Sequence, residues 1–228
     1  MRSARLFLAG AMALLLAGCG PVTGTRQVLD RSKLVNEMAS RLDKASTLTY
    51  TAEYKLPDGQ HATVAQAQQP IRAAYTYPTG KFVTTTLLTM DCRATGGATS
   101  CAVDPPPTPK SDTSGLFVAM RDRGLVPPTL VIGLLTAASL SSDAAIKRSE
   151  TTIAGQPATC VEVSGVRDAA ATDFDACITD NGVLGSFDGT VDDKESDVSL
   201  VKYQTTVAQD TFDPPAGAET VDNRPPVD

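Results

Sequence analysis

The chain has 228 residues, with 20 basic and 26 acidic side chains, one histidine, no tryptophan and 5% aromatic residues. A net charge of −6 gives no electrostatic footprint for nucleic acid and no basic surface for anionic lipid heads, so neither is an expected partner. The length suffices for one sizeable core or two small ones.

Met1 to Gly18 has the three parts of an export signal: Arg2 and Arg5, an apolar run from Leu6 to Leu16, and a small-residue end. The apolar run is about half the length a membrane-spanning helix needs. Leu16-Ala17-Gly18-Cys19 resembles the lipobox of bacterial lipoproteins. The resemblance implies cleavage before Cys19, a diacylglyceryl thioether on its sulfur, and a mature protein of 210 residues on the extracytoplasmic face of the cell membrane. Loss of Arg2 and Arg5 leaves 18 basic residues against 26 acidic, a balance of −8. Gly20 to Gln27 is polar and holds Pro21 and Gly24, so residues 19–29 read as a lipidated, flexible tether.

From Asp30 to Lys44, Leu34, Met38 and Leu42 recur every four positions, which predicts an amphipathic helix. Leu48, Tyr50, Ala52, Tyr54 and Leu56 then alternate with polar residues as a half-buried strand, ending at Pro57-Asp58-Gly59. Further strands are expected at His61 to Gln66 and Ile71 to Tyr77. A long one should run from Lys81 to Arg93, with a return through Ser100 to Val103 after Gly96-Gly97. Asp104 to Pro109 holds four prolines and reads as an extended connector. A short helix is expected from Ser114 to Arg121, and a nearly all-apolar one from Thr129 to Leu140. The second is too short to span a bilayer and should be buried.

Strand signals resume at Ala145 to Ile153, Thr159 to Val163, Phe174 to Thr179 and Val183 to Phe187. After an acidic loop at Asp192 to Asp197 comes a last strand, Val198 to Val207. The whole is α+β: a strongly curved antiparallel sheet of eight to ten strands packed on an N-terminal helix and central helices. It forms one domain over residues 30–221, with a frayed tail at 222–228.

Apart from Cys19, the cysteines fall into two close pairs, Cys92/Cys101 and Cys160/Cys177. In an oxidising compartment they read as disulfides. Three connectivities are open; the two local pairings fit neighbouring antiparallel strands, each closing a loop worth about 3 kcal/mol. One histidine and no C-x-x-C spacing leave zinc disfavoured. His61 reads as a solvated turn residue. Ser199 and Lys202 match S-x-x-K by letters only, since positions i and i+3 of a regular strand point to opposite faces. The acidic cluster lacks the spacing of a calcium loop. No cofactor, metal or catalytic residue is expected, and the chain reads as a non-enzyme.

The order of elements resembles the LolA/LppX-type lipoprotein fold. The resemblance rests on the helix leading into Ala45-Ser46-Thr47-Leu48-Thr49-Tyr50-Thr51-Ala52, the hairpin Ile153 to Val161, the Asp180-Asn181-Gly182 turn and the Phe212-Asp213-Pro214-Pro215-Ala216-Gly217-Ala218 close. It implies a cavity between sheet and helices that carries a lipid or other hydrophobic ligand. Phe117, Met120, Leu130, Val131, Leu134 and Leu135 are the candidates to line it. The same residues would equally make a filled core, and the chain would then be a protein-interaction module with an unknown partner. Anchorage itself is tested by Cys19→Ala, which is expected to move the protein from the detergent phase to the aqueous phase in a partitioning assay. Unchanged partitioning would remove the anchor.

Overall fold

The computed structural model describes residues 23–106 and 123–225. Cys19, the export signal, the helix expected at 114–121 with Phe117 and Met120, and the last residues of the tail lie outside them. Helix α1 spans Thr23–Ala45 and helix α2 spans Pro128–Leu140. The strands are β1 (Tyr50–Lys55), β2 (His61–Gln68), β3 (Ile71–Tyr77), β4 (Gly80–Thr85), β5 (Thr89–Thr95) and β6 (Ala98–Asp104), then β7 (Ala145–Ile153), β8 (Gln156–Ser164), β9 (Phe174–Thr179), β10 (Leu184–Val191), β11 (Lys194–Gln204) and β12 (Glu219–Asp222).

Among the described residues these twelve strands make one open, curved sheet in the order β12-β6-β5-β4-β3-β2-β1-β11-β10-β9-β8-β7. Two meanders, β1–β6 and β7–β11, meet where β11 returns beside β1. Every neighbouring pair is antiparallel except β12, which runs parallel to β6. The architecture is the α+β half-barrel read from the sequence, with more strands than the eight to ten expected.

One strand more than expected is β12, whose pairing with β6 reaches Asp222 and is continued by the Asn223 N–H to the Val103 carbonyl, so the tail expected to fray from 222 is held there. Three local features account for the remaining difference in count and extent. The long strand expected at Lys81 to Arg93 is two. The Thr85 hydroxyl accepts from the backbone N–H groups of Leu87 and Leu88, both at 3.0 Å, and folds the chain back between β4 and β5. The acidic loop expected at Asp192 to Asp197 is mostly strand. Asp192 and Asp193 both take left-handed backbone angles, φ 48° and 63°, which makes the tight turn that suits a hairpin, so β11 starts at Lys194. At the other end, α1 begins at Thr23, inside the segment whose composition reads as tether. Between Thr23 and Val28, Gly24 costs a helix most and the β-branched Thr25 and Val28 less, a small sum for extending a helix already fixed by packing.

Curvature has visible causes. An extra residue interrupts the ladder at Gly185 of β10 and at Val201 of β11, and such bulges bend a strand and increase its twist. The second bulge also corrects the reading of S-x-x-K. Ser199 pairs with Lys55 and Lys202 with Glu53, so both lie on the same, outer face of the sheet.

The main core lies between the inner face of the sheet and the two helices. Helix α1 contributes Val35, Met38, Leu42 and Ala45, and α2 contributes Val131, Leu134, Leu135 and Ala138. Helix α2 is only half covered, with Leu140 81% exposed. A second, smaller core sits on the outer face of β2–β6, where the segment after β11 crosses the sheet to reach β12. Phe212 from that segment covers Ala65, Ala74, Val83 and Met90. The Arg72 guanidinium stacks on its ring at 4.2 Å, and Lys81 Nζ donates to the Asp213 carbonyl at 2.6 Å.

Both disulfides take the local pairing, Cys92–Cys101 across β5–β6 and Cys160–Cys177 across β8–β9. Each joins residues directly opposite in register. Two such bonds belong to an oxidising, extracytoplasmic compartment. Among the described residues no helix is long and apolar enough to cross a membrane.

The turn between β9 and β10 locks α1 in place. Arg41 Nη1 donates to Asp180 Oδ1 at 2.9 Å, and Nη2 to Glu37 Oε1 at 2.6 Å. Gly182 has φ 88°, and a Cβ there would lie 2.0 Å from the Arg41 carbonyl oxygen. Gly182→Ala is therefore expected to lower stability by about 3 kcal/mol through backbone strain and displacement of α1. Urea unfolding measures it; a loss below about 1 kcal/mol would mean the helix end yields freely.

Candidate functional site

The sheet's inner face is not completely filled. Over the junction of the two meanders, between the C-terminal end of α1 and the N-terminal end of α2, lies a partly open cavity of about 220 Å³. Tyr50 and Tyr54 of β1, Val64 and Gln66 of β2, Tyr75 of β3 and Val198 of β11 form its floor. Leu42 and Ala45 of α1, Thr129 and Ile132 of α2, Leu125 and Val126, and the turn from Gly182 to Leu184 complete the wall.

Strand register explains why three tyrosines gather. Val64 sits opposite both Ala52 and Tyr75, so the inward phases of β1, β2 and β3 align. Tyr50 and Tyr54 flank Ala52 in β1, and the alanines at 52 and 62 leave room between the rings. The Tyr50 ring stacks on Tyr203 with centroids 6.0 Å apart, and Tyr75 meets Phe82 at 6.5 Å. Around the rim, Gln66 donates to the carbonyls of Ser46 and Leu48 at 2.5 and 3.0 Å, which fixes the turn from α1 into β1. Arg123 stacks on Tyr77 at 4.7 Å and pairs with Asp91 at 3.2 Å, which sets the path of Leu125 and Val126 into the wall.

Three phenols join the polar side chains of Asp43, Ser46, Gln66 and Thr129 in the lining. The Tyr54 hydroxyl donates to the Leu184 carbonyl oxygen at 2.9 Å. Burial pushes the Tyr50 phenol well above its ordinary range, and the Tyr75 and Tyr203 phenols add to the shift. Tyr54 and Tyr75 are raised chiefly by burial as well. All three are neutral hydrogen-bonding groups at physiological pH. Among the described residues, Asp43, at the rim, is the one carboxylate in the lining, and neither lysine nor arginine contributes to it.

Of the residues the sequence nominated as lining, Val131, Leu134 and Leu135 are buried in the main core against α1 and the sheet, and Leu130 packs beside them. The cavity is met by the adjacent face of the same helix, through Thr129 and Ile132. A run apolar nearly all round gives no phase, so composition alone cannot say which side faces the open space. The tyrosines were nominated by no motif. Their signal was the inward phase of the first three strands, once the hairpins are laid in register.

The remaining singled-out groups lie elsewhere. His61 Nδ1 contacts Glu53 Oε1 on the exposed start of β2. The disulfides lie on the outer face. The carboxylates Glu162, Asp175, Asp188 and Asp197 form a row across β8–β11 on that face, a ladder the sequence did not reveal. Burial and the flanking Glu162 and Asp188 raise the Asp175 carboxyl above its ordinary range.

The phenols carry a pH signature. Their folded-state values exceed the unfolded value, so the stability they permit is complete below about pH 10 and falls as pH rises beyond it, when only the unfolded chain ionises freely. Tyr50→Phe removes one such group and is expected to move the alkaline unfolding midpoint upward in a circular-dichroism titration. An unchanged midpoint would mean that Tyr50 is not kept neutral by the fold.

No family model matches the chain, and no curated protein matches it. Among solved structures it is similar to an uncharacterized conserved protein from Thermus thermophilus. The two are 11% identical with a TM-score of 0.47, over 83% of this chain and 99% of that one. It is also similar to MucB, at 14% identity and a TM-score of 0.49, over 81% of this chain and 64% of that one, so it spans under two thirds of MucB.

Proposed function

We propose that this chain is a non-enzymatic binding protein of the extracytoplasmic membrane face, anchored through lipidated Cys19, that holds a small hydrophobic ligand between its sheet and helices. The observation that carries the reading is the apolar cavity of about 220 Å³ with a few convergent, neutral hydrogen-bonding groups. That combination characterises binding pockets for small molecules. Its size sets the scale of the cargo. An engineered apolar cavity of about 150 Å³ accepts benzene, whereas drug-sized ligands occupy pockets of about 300 Å³ or more. The enclosed part of the ligand is therefore a short chain or a single ring, or one end of a longer lipid. The lipobox-like Leu16-Ala17-Gly18-Cys19 and the likeness to LolA/LppX-type lipoproteins support the anchor and the hydrophobic cargo.

The Cys19→Ala protein, which brings no acyl chains of its own, is titrated with aminoanthracene, whose fluorescence rises in apolar surroundings. Wild-type lining should bind it saturably. Val64→Phe places a ring into the cavity and is expected to weaken binding at least tenfold while leaving thermal stability equal or higher. No saturable binding before substitution, or equal binding after it, would overturn the reading.

A further inference from the structure

Resting on the reading of this cavity as a binding site, we propose that the ligand is an uncharged molecule bearing a hydrogen-bond-accepting oxygen, an ester or ketone, which the Tyr50 and Tyr75 hydroxyls grip inside the cavity.

The phenols differ in whether their hydroxyls are already used. Three phenols line the cavity, and the Tyr54 hydroxyl is committed to the Leu184 carbonyl. Among the described residues no protein group hydrogen-bonds the hydroxyl of Tyr50 or Tyr75. Tyr50 is only 6% exposed, so its hydroxyl has little recourse to bulk solvent. Neither oxygen is among the side-chain atoms sealed without a partner, so both open onto space that another molecule can reach. A hydroxyl covered without a partner costs about 1–3 kcal/mol, so a ligand that fills the cavity binds best when it supplies an acceptor. The two side chains lie on strands separated by β2 alone, on the same inner face. The Tyr75 phenol adds to the cost of ionising Tyr50, as expected of a hydroxyl close to it across the same space.

Charge then selects the acceptor. Among the described residues no lysine or arginine contributes to the lining, and the rim carries the carboxylate of Asp43. A carboxylate or phosphate head would lose its hydration there, gain no counter-charge and face Asp43. An ester or ketone oxygen accepts the same two hydrogen bonds without those costs. Two neutral hydrogen bonds to such an oxygen give about tenfold or more over a hydrocarbon of equal size.

The experiment measures displacement of aminoanthracene from the Cys19→Ala protein by methyl hexanoate, n-octane and hexanoate, with and without Tyr50→Phe and Tyr75→Phe. Both substitutions keep the ring and remove a hydroxyl that makes no protein hydrogen bond, so folding should be preserved, as a circular-dichroism melt checks. Methyl hexanoate is expected to bind about tenfold tighter than n-octane and tighter than hexanoate. The double Phe variant should lose that preference while its affinity for n-octane changes less than twofold. A preference for the ester that survives in the double variant, or hexanoate binding as tightly as the ester, overturns the proposal while leaving the binding reading intact. Failure of all three compounds and of aminoanthracene itself to bind overturns both.

Discussion

The pairing of β1 with β11 is the interaction on which the rest depends. It joins two meanders that are each held by short turns, and it does so between segments far apart in the chain. Thr51 Oγ1 donates to the Thr206 carbonyl across a separation of 155 residues. Closing so long a loop costs entropy that its own contacts must repay, so this seam gains from support outside the sheet. The support comes from the helices. Helix α1 lies over the inner face near the seam, clamped by Arg41 and by the close approach of Gly182, and α2 packs against α1. On the outer face the segment after β11 continues across β2–β6 and seals a second core with Phe212. Both devices tie residues of one meander to residues of the other.

The cavity follows from the same arrangement. Two helices cannot cover the inner face of a twelve-stranded curved sheet evenly. Where the C-terminal end of α1 meets the N-terminal end of α2, coverage passes to the extended segment of Leu125 and Val126 and the turn at Gly182. Small inward residues on β1 and β2, Ala52 and Ala62, leave depth there, and the larger Tyr50, Tyr54 and Tyr75 surround it. Thr- and Ala-rich strands therefore have two effects. They keep the inner faces modest, as composition suggests, and they are also what leaves the space unfilled.

How much of this was legible depended on the range of the physics. Elements defined by local alternation and strong turns were legible almost to the residue: Ile71–Tyr77, Ala145–Ile153 and Phe174–Thr179. The disulfide partners were legible because hairpin neighbours in an oxidised chain have few choices. Turns without glycine were not. The hydroxyl of Thr85 and the paired left-handed Asp192 and Asp193 reverse the chain using residues that elsewhere continue a strand. The seam between β1 and β11 leaves no local trace, nor does the bulge at Val201 that brings Ser199 and Lys202 to one face. The site was half legible. The alternation of Tyr50 and Tyr54 marked them as inward-facing, but only the register through β2 to Tyr75 makes them neighbours.

A hollow core has an energetic consequence that connects the two faces of the sheet. At about 24 cal/mol per Å³, a cavity of about 220 Å³ forgoes up to about 5 kcal/mol relative to a filled interior. The two disulfides, closing loops with sequence separations of 9 and 17, contribute about 3 kcal/mol each. They offset the cavity, and they do so from the outer face, where they occupy none of the inner volume. The placement also divides labour between the meanders: Cys92–Cys101 staples the first and Cys160–Cys177 the second, while the seam between them carries the tyrosines and stays free of covalent constraint. Stability is thus held at the flanks of the sheet, and the middle, where helix ends and strand junction meet, carries the cavity.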